Sequence, residues 1–298
     1  MKLLYEDMSI MDFESRFPDD KSCHDYLMKL KWPNGFMCRY CKHNHYCSTL
    51  RYGEHRCTKC RKVESTTAHT LFHKVKFGIR KAFYMVYFIS TNKKGISAAE
   101  LSRKIDVQKR TAWAFKRKVM KAMASSENQP MDGYVEVDET FVGGYQEGKV
   151  GRSQSNKDQV VIGIQRSGYK GISRAYALRI ENCGSKQLLK FFDKFVDQKA
   201  QIKTDKWRGY TPIQNKYSNL VQIPSKRGEN FKTLHRFIMG LKSWLRGIHH
   251  HVTYIQEYLN EYTYRFNRHF MKGAIFDNLI NRMQRHQPVL IKNLSIDN

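Results

Sequence analysis

The sequence predicts an α/β chain in which a mixed five-stranded sheet with helices follows a small metal-bound ribbon and a short helical segment. Three observations predict it. Two Cys-x2-Cys turns, Cys38 with Cys41 and Cys57 with Cys60, stand fifteen residues apart. A run with helical period begins at Phe77. Beyond a polar linker the pattern turns to strands, three before a helix and one after it.

The bulk numbers bound the function. At 298 residues the chain is long enough for two or three domains and a sizeable core. Its 41% hydrophobic and 13% aromatic content argue for a folded protein. No stretch approaches the roughly 18 consecutive apolar residues of a membrane helix, so no membrane partner is expected. The start, "MKLLYEDMSIMDFESRF", is acidic and lacks a signal-peptide apolar run, so a cytoplasmic location is expected. Lys and Arg total 53 against 27 Asp and Glu, a net charge of +26. Seven acids and three bases fall in the first 25 residues, which net −4 and leave +30 on the rest. A field of that sign attracts polyanions and releases counterions from phosphates. A ribosome-like or membrane-surface basic protein is the plain alternative. The bases are spread through patterned, aromatic-rich segments rather than a lysine-rich tail, which favours nucleic acid.

Residues 1–75 read as an N-terminal segment and zinc ribbon. Each Cys-x2-Cys turn offers two thiolates, and two turns complete a tetrahedral Zn²⁺ site from Cys38, Cys41, Cys57 and Cys60. A disulfide is disfavoured in a reducing compartment, and a redox motif would need one pair rather than two. So small a ribbon needs its metal to fold, which makes this zinc structural. The turns read "CRYCK" and "CTKCR", with a base where such turns often carry Gly. His43, His45 and Cys47 are substitute ligands or plain surface residues, and Cys23 and Cys183 are expected simply to pack.

Residues 76–124 read as a helix-turn-helix-like segment. Ser97 to Glu100 is a capping box that starts a short helix, Asp106 and Val107 make a break, and the period resumes from Gln108 to Met123. Gln108, Lys109 and Arg110 open the second helix, where base edges are usually met, and Lys116 and Arg117 further along are also assigned to DNA. An ordinary helical hairpin with a solvated basic face is the alternative. Residues 125–132 end in Pro130 and then Met131-Asp132, and read as a linker.

Strands follow at 133–142, from Asp158 and from Ser173, then a helix from Ser185 and a strand "AQIKTD" ending at Asp205. This is the element order of an RNase H-like fold, taken to span residues 133–270, with 271–298 as a C-terminal tail. In that order the first and fourth strands are neighbours, so Asp138 and Asp205 face each other. Alternation puts Glu136 and Asp138 on one face of their strand and Glu139 on the other. Buried carboxylates are costly unless a cation neutralises them. Two divalent ions about 3.5–4 Å apart can activate a nucleophile and stabilise a leaving oxygen, work that suits Mg²⁺.

These residues resemble the ISXO2-like DDE-type insertion-sequence transposases that carry an N-terminal zinc ribbon. The resemblance covers roughly residues 10 to 270. It rests on "RFPDDKSCHDYLMKLKWPNGFMCRYC", "KKGISAAELSRKI" with "TAW", "VEVDETFVGG", "TDKWRGY", and "LKSWLRGIHHHV" followed by "YLNEYTYRFNR". It implies that Asp138 and Asp205 bind catalytic metal. At the third position, where a DDE enzyme offers Glu with a base seven residues on, stand His235 and Lys242, and the resemblance implies that His can serve there. Imidazole is more at home with Mn²⁺ than Mg²⁺. Glu229 is the rival third ligand; Glu257 and Glu261 are further candidates, expected at the surface. Lys242 and Arg246 share a helical face with His235 and would grip phosphates beside the scissile bond. "HHH" at 249–251 reads as part of the family's segment rather than a metal tract, and Trp207 and Tyr210 stack on a base or pack in the core.

The resemblance implies a DNA transposase that cuts transposon ends and joins the 3′-OH to target DNA. Its partner would be double-stranded DNA, bound by a homodimer or larger. A cutting-only nuclease or resolvase of the same fold, and a zinc-ribbon regulator with an inactive catalytic domain, are the alternatives.

Overall fold

Caps set the first elements of the chain. The computed structural model describes residues 8–143, 157–168, 171–248, 252–289 and 294. Helices α1 (Ile10–Arg16) and α2 (Asp20–Lys31) each begin at a reciprocal capping box, Ser9 with Asp12 and Asp19 with Ser22. Three short antiparallel strands follow: β1 (Tyr46–Ser48), β2 (Glu54–Cys57) and β3 (Val63–Ser65). Helix α3 (Ile79–Thr91) buries Phe83, Met85, Val86 and Ile89. Helix α4 (Ala98–Ile105) opens at Ser97, whose Oγ accepts from the Glu100 amide at 3.1 Å. Only this half of the expected capping box is seen; the Glu100 carboxylate lies 3.8 Å from Lys104 along the helix. Asp106, left-handed at φ 54°, ends α4, and α5 (Lys109–Met123) begins just beyond.

The larger sheet is built as its pattern suggests. Strands β4 (Tyr134–Val142), β5 (Asp158–Ser167) and β6 (Gly171–Ile180) form an antiparallel meander. Helix α6 (Ser185–Phe195) then carries the chain to β7 (Gln201–Thr204), which pairs parallel with β4. A 3-10 turn (Arg208–Asn215) leads to β8 (Leu220–Gln222), parallel to β7. The order β6-β5-β4-β7-β8 makes a mixed five-stranded sheet. A second 3-10 turn (Lys226–Phe231), α7 (Lys232–Ile248), α8 (Ile255–Asn267) and α9 (Ala274–Arg285) follow.

Each face of this sheet carries a core. Val135, Val137, Phe191, Phe192, Ile202 and Tyr210 fill one, and Val160, Ile162, Ile164, Phe231, Leu234 and Leu241 fill the other. Along the β6 edge, two side-chain amides of α8 stand in for a missing strand. Asn267 accepts from the Ala175 amide at 2.8 Å and donates to its carbonyl at 2.9 Å. Gln256 accepts from the Arg179 amide at 2.8 Å and donates to the Ala177 carbonyl at 3.2 Å.

The chain divides into two units, Met1–Met123 with Phe270–Asn298, and Ala124–His269. In the first, α9 supplies buried Phe276, Leu279, Ile280 and Met283. Phe276 packs its ring on Phe13, Phe17 and Phe83. Asp277 on α9 accepts from Arg16 at 2.7 Å and from the Tyr26 hydroxyl at 2.6 Å. The segment read as a tail therefore holds a packed helix. In the second unit the linker is tied down from Gln129, whose carbonyl accepts from Arg174 at 3.0 Å and from the Tyr176 hydroxyl at 2.8 Å.

Two assignments on α5 need correction. Lys109 and Arg110 are exposed, but Lys116 and Arg117 are buried. Arg117 lies over the Trp113 ring and donates to the Leu294 carbonyl. The helix is packed on most of its circumference from Ala112 on, so these two bases do not offer themselves to DNA.

Candidate active site and ribbon

The site forms where strand pairing stops. Parallel pairing between β4 and β7 runs from Tyr134 to Glu136. β7 ends at Thr204, and Asp205 just beyond it accepts from the Trp207 amide at 2.9 Å. Asp138 and Glu139 continue along β4, paired on their other side with Ile162 and Val161 of β5. Carboxylate oxygens of Asp138, Glu139 and Asp205 consequently lie within 4.8 Å of one another, all three residues half-buried. The sequence brought Asp138 and Asp205 together but left Glu139 out, on the ground of alternation. Its face is as expected: Glu139 follows Val135 and Val137 and meets Tyr210, which belongs to their core. Beyond the last β4–β7 pair, however, a side chain of two methylenes reaches the acids from the other face. Tyr210 Oη donates to Glu139 Oε2 at 2.6 Å. Burial first, then the charges of Glu139 and Asp138, raise the Tyr210 pKa well above the ordinary phenol value, so it remains a donor.

Asp138 is oriented on both oxygens. Oδ1 accepts from the Glu139 amide at 2.8 Å, and Oδ2 lies 3.2 Å from His235 Nε2. That hydrogen bond raises the His235 pKa, partial burial opposes it, and the charges of Asp138 and Glu136 add to the rise. His235 thus touches a member of the acidic trio. Lys242, two turns along α7, has its pKa lowered by burial and then by the charges of Lys157 and Arg246. Behind the trio, Glu136 is buried and paired with Arg166 at 2.7 Å.

The rival acids fare differently. Glu229 is exposed and outside the trio. Glu257 and Glu261, expected at the surface, are instead buried, and Glu261 pairs with Arg265 at 2.7 Å. Helix α8 turns that face into the core, where a carboxylate needs such a partner. Tyr210 is wholly buried and so is core rather than a base-stacking platform. Trp207 donates its indole N–H to the Cys183 carbonyl at 2.8 Å. Residues 249–251 lie outside the described residues.

In the ribbon the four cysteine sulfurs also gather within 4.8 Å, with Cys38 to Cys60 at 3.5 Å and Cys41 to Cys57 at 3.6 Å. A set of four thiolates on two turns suits a tetrahedral Zn²⁺. The group of four sulfurs includes neither His43, which binds Thr58 at 2.9 Å, nor the exposed Cys47. The two turns are built alike. Lys42 and Arg61, each following the second cysteine of its pair, are left-handed at φ 60° and 62°. Their amides donate to the Cys38 and Cys57 carbonyls at 2.9 and 3.0 Å. These are the positions where glycine was expected, and the bases adopt its conformation. Among the described residues, these sulfurs and the acidic trio are the two groups able to hold a metal.

Residues 130–267 match the ISXO2-like transposase domain, and residues 18–63 the transposase zinc-ribbon domain. No curated protein matches the chain. The crystal structure of a pre-cleavage Mos1 transpososome aligns at TM-score 0.22 and 9% identity, over 67% of this chain and 78% of that one. The Mos1 strand transfer complex aligns at 0.20 and 8% over the same shares. Likeness that slight carries no weight for this protein. The two domain matches are another matter, because they enclose the four sulfurs and the acidic trio: the chain carries an ISXO2-like DDE transposase domain behind an N-terminal transposase zinc ribbon.

Proposed function

We propose that the chain is a metal-dependent DNA transposase that cleaves transposon ends and joins the freed 3′-OH to target DNA. One observation carries the reading: three carboxylates lie within 4.8 Å of one another, inside the matched transposase domain. Like charges at that spacing disfavour one another unless a cation or a proton intervenes. The donor set is all oxygen and half-buried where the β4–β7 pairing ends, which fits Mg²⁺ or Mn²⁺. Asp138, Glu139 and Asp205 would hold the ion, with His235 as a nitrogen ligand or as the partner that orients Asp138. When bound, the cation supplies charge neutralisation, polarisation of the phosphodiester and activation of the nucleophile.

The chain's own residues do the rest. Tyr210 fixes the direction of Glu139, and the Glu139 amide turns Asp138 Oδ2 towards His235. Lys242 and Arg246, on the helix that carries His235, offer charge to phosphates on either side of the scissile bond. Lys109 and Arg110 at the start of α5 meet double-stranded DNA. The ribbon holds structural Zn²⁺. Two ends must be held together, so a homodimer or larger assembles on DNA.

A strand-transfer assay with end-bearing DNA in Mg²⁺ or Mn²⁺ tests this. Joined product is expected from the wild type. Asp138→Asn and Asp205→Asn should lose both cutting and joining yet still bind DNA. Cut but unjoined product would leave a nuclease or resolvase, and binding alone would leave a regulator.

A further inference from the structure

The segment "SKRGEN" ahead of α7 reads from the sequence as plain loop, yet it is strained beside the candidate active site. Lys226, Arg227 and Gly228 stand in succession in the left-handed region, at φ 48°, 55° and 93°. For residues with a Cβ that conformation costs free energy. The turn is nevertheless pinned. The Gly228 amide donates to the Ser225 carbonyl at 3.0 Å and lies 3.2 Å from Ser225 Oγ. The Lys203 ammonium donates to the Asn230 carbonyl at 2.7 Å and sits over the Phe231 ring. Strain over-determined in this way beside a candidate site points to a role.

That role is visible in what Gly228 touches. A Cβ built on it would lie 2.4 Å from His235 Nδ1 and 2.7 Å from Cε1. The imidazole therefore rests directly on the bare backbone of the turn. Phe231 stacks along the same ring at 6.5 Å and 21°, and Asp138 Oδ2 meets its Nε2 at 3.2 Å. We infer that Gly228 is a positioning residue for His235: the missing side chain lets the imidazole seat against the turn with Nε2 aimed at Asp138. Any Cβ at 228 must displace something, and the ring is the group free to give way. Its Nε2 then leaves Asp138. The activity arm of the test rests on the transposase reading; the geometric arm does not.

Gly228→Asn is the informative variant, because Asn tolerates the left-handed backbone yet carries the colliding Cβ. In the metal-free wild type, NMR should show an NOE between the Gly228 α-protons and the His235 ring. In Gly228→Asn the His235 ring resonances should move while the thermal midpoint falls only by the modest strain of a side chain at φ 93°. With end DNA, kcat should fall about a hundredfold, and KM should stay within about twofold, since the imidazole is misplaced while the DNA-gripping bases are untouched. Unmoved His235 resonances or wild-type kcat in this variant would overturn the inference. If the variant does not fold, the wild-type NOE decides, and its absence overturns the inference. If the wild type neither cuts nor joins, the transposase reading fails, while the NMR arm still decides the positioning.

Discussion

Tyr210 reaches Glu139 from inside the core, and burial together with the neighbouring carboxylates keeps its hydroxyl a donor. Tyr210→Phe removes one oxygen and little volume. Stability should fall by about 1 kcal/mol, and Mn²⁺ affinity about tenfold, as when a group orienting a metal ligand is lost; urea melts and calorimetric titration measure the two. His235 allows a pH test. Its pKa is raised in the folded chain, chiefly by the Asp138 hydrogen bond. The contact therefore stabilises metal-free protein fully below the unfolded value near 6.5 and is lost as pH rises through the higher folded value. The melting-point gap between wild type and His235→Asn should narrow across that window; a gap flat with pH contradicts the assignment. Asp138 and Asp205 were legible at this scale because carboxylates in or just after β-forming runs need a reason. Glu139 was not, because alternation assigns faces and says nothing of where pairing with the neighbouring strand ends. Nor was the burial of Lys116 and Arg117, since the charge on a residue does not say how much of its helix is packed.

The ribbon turns show how an element can carry strain that its sequence announces. Lys42 and Arg61 hold glycine's conformation, and a side chain pays about 1–2 kcal/mol there. Lys42→Gly and Arg61→Gly should each raise the stability of the zinc-loaded ribbon, by up to about 1 kcal/mol after the entropy glycine restores to the unfolded chain. Cys57→Ser should lose the bound zinc, which elemental analysis would show. The four strands named from the sequence lie within two residues of those observed. β8 escaped notice: three residues, Leu220–Gln222, are too few to display a period of two. The partial cap of α4 was half legible, since Ser97 must satisfy an amide while Glu100 has Lys104 as a competing partner.

At the scale of the molecule, charge was the plainest signal. A chain at +26 should bind DNA with an affinity that falls steeply with salt. Replacing Lys109 and Arg110 by Ala should reduce the slope of log K against log salt by about 2 and weaken preference for end DNA. Affinity flat between low and physiological salt would contradict the electrostatic reading. The discontinuity of the first unit, by contrast, was invisible, because nothing in the sequence of α9 says which apolar partners it will find.

That discontinuity imposes an order of events in synthesis. Ala124–His269 is complete before α9 exists, so the unit that holds the transposase domain is finished while the unit that precedes it still waits. At roughly 5–20 residues per second, making the intervening segment takes about 7 to 30 s. Throughout that interval Phe13, Phe17 and Phe83 lack the Phe276 ring that packs on them in the finished chain. Released chains ending before Ala274 should be cut by protease within the first 123 residues sooner than in the strands and helices described between 124 and 269. A polypeptide released early would then carry the acidic trio without a finished ribbon-and-helix unit.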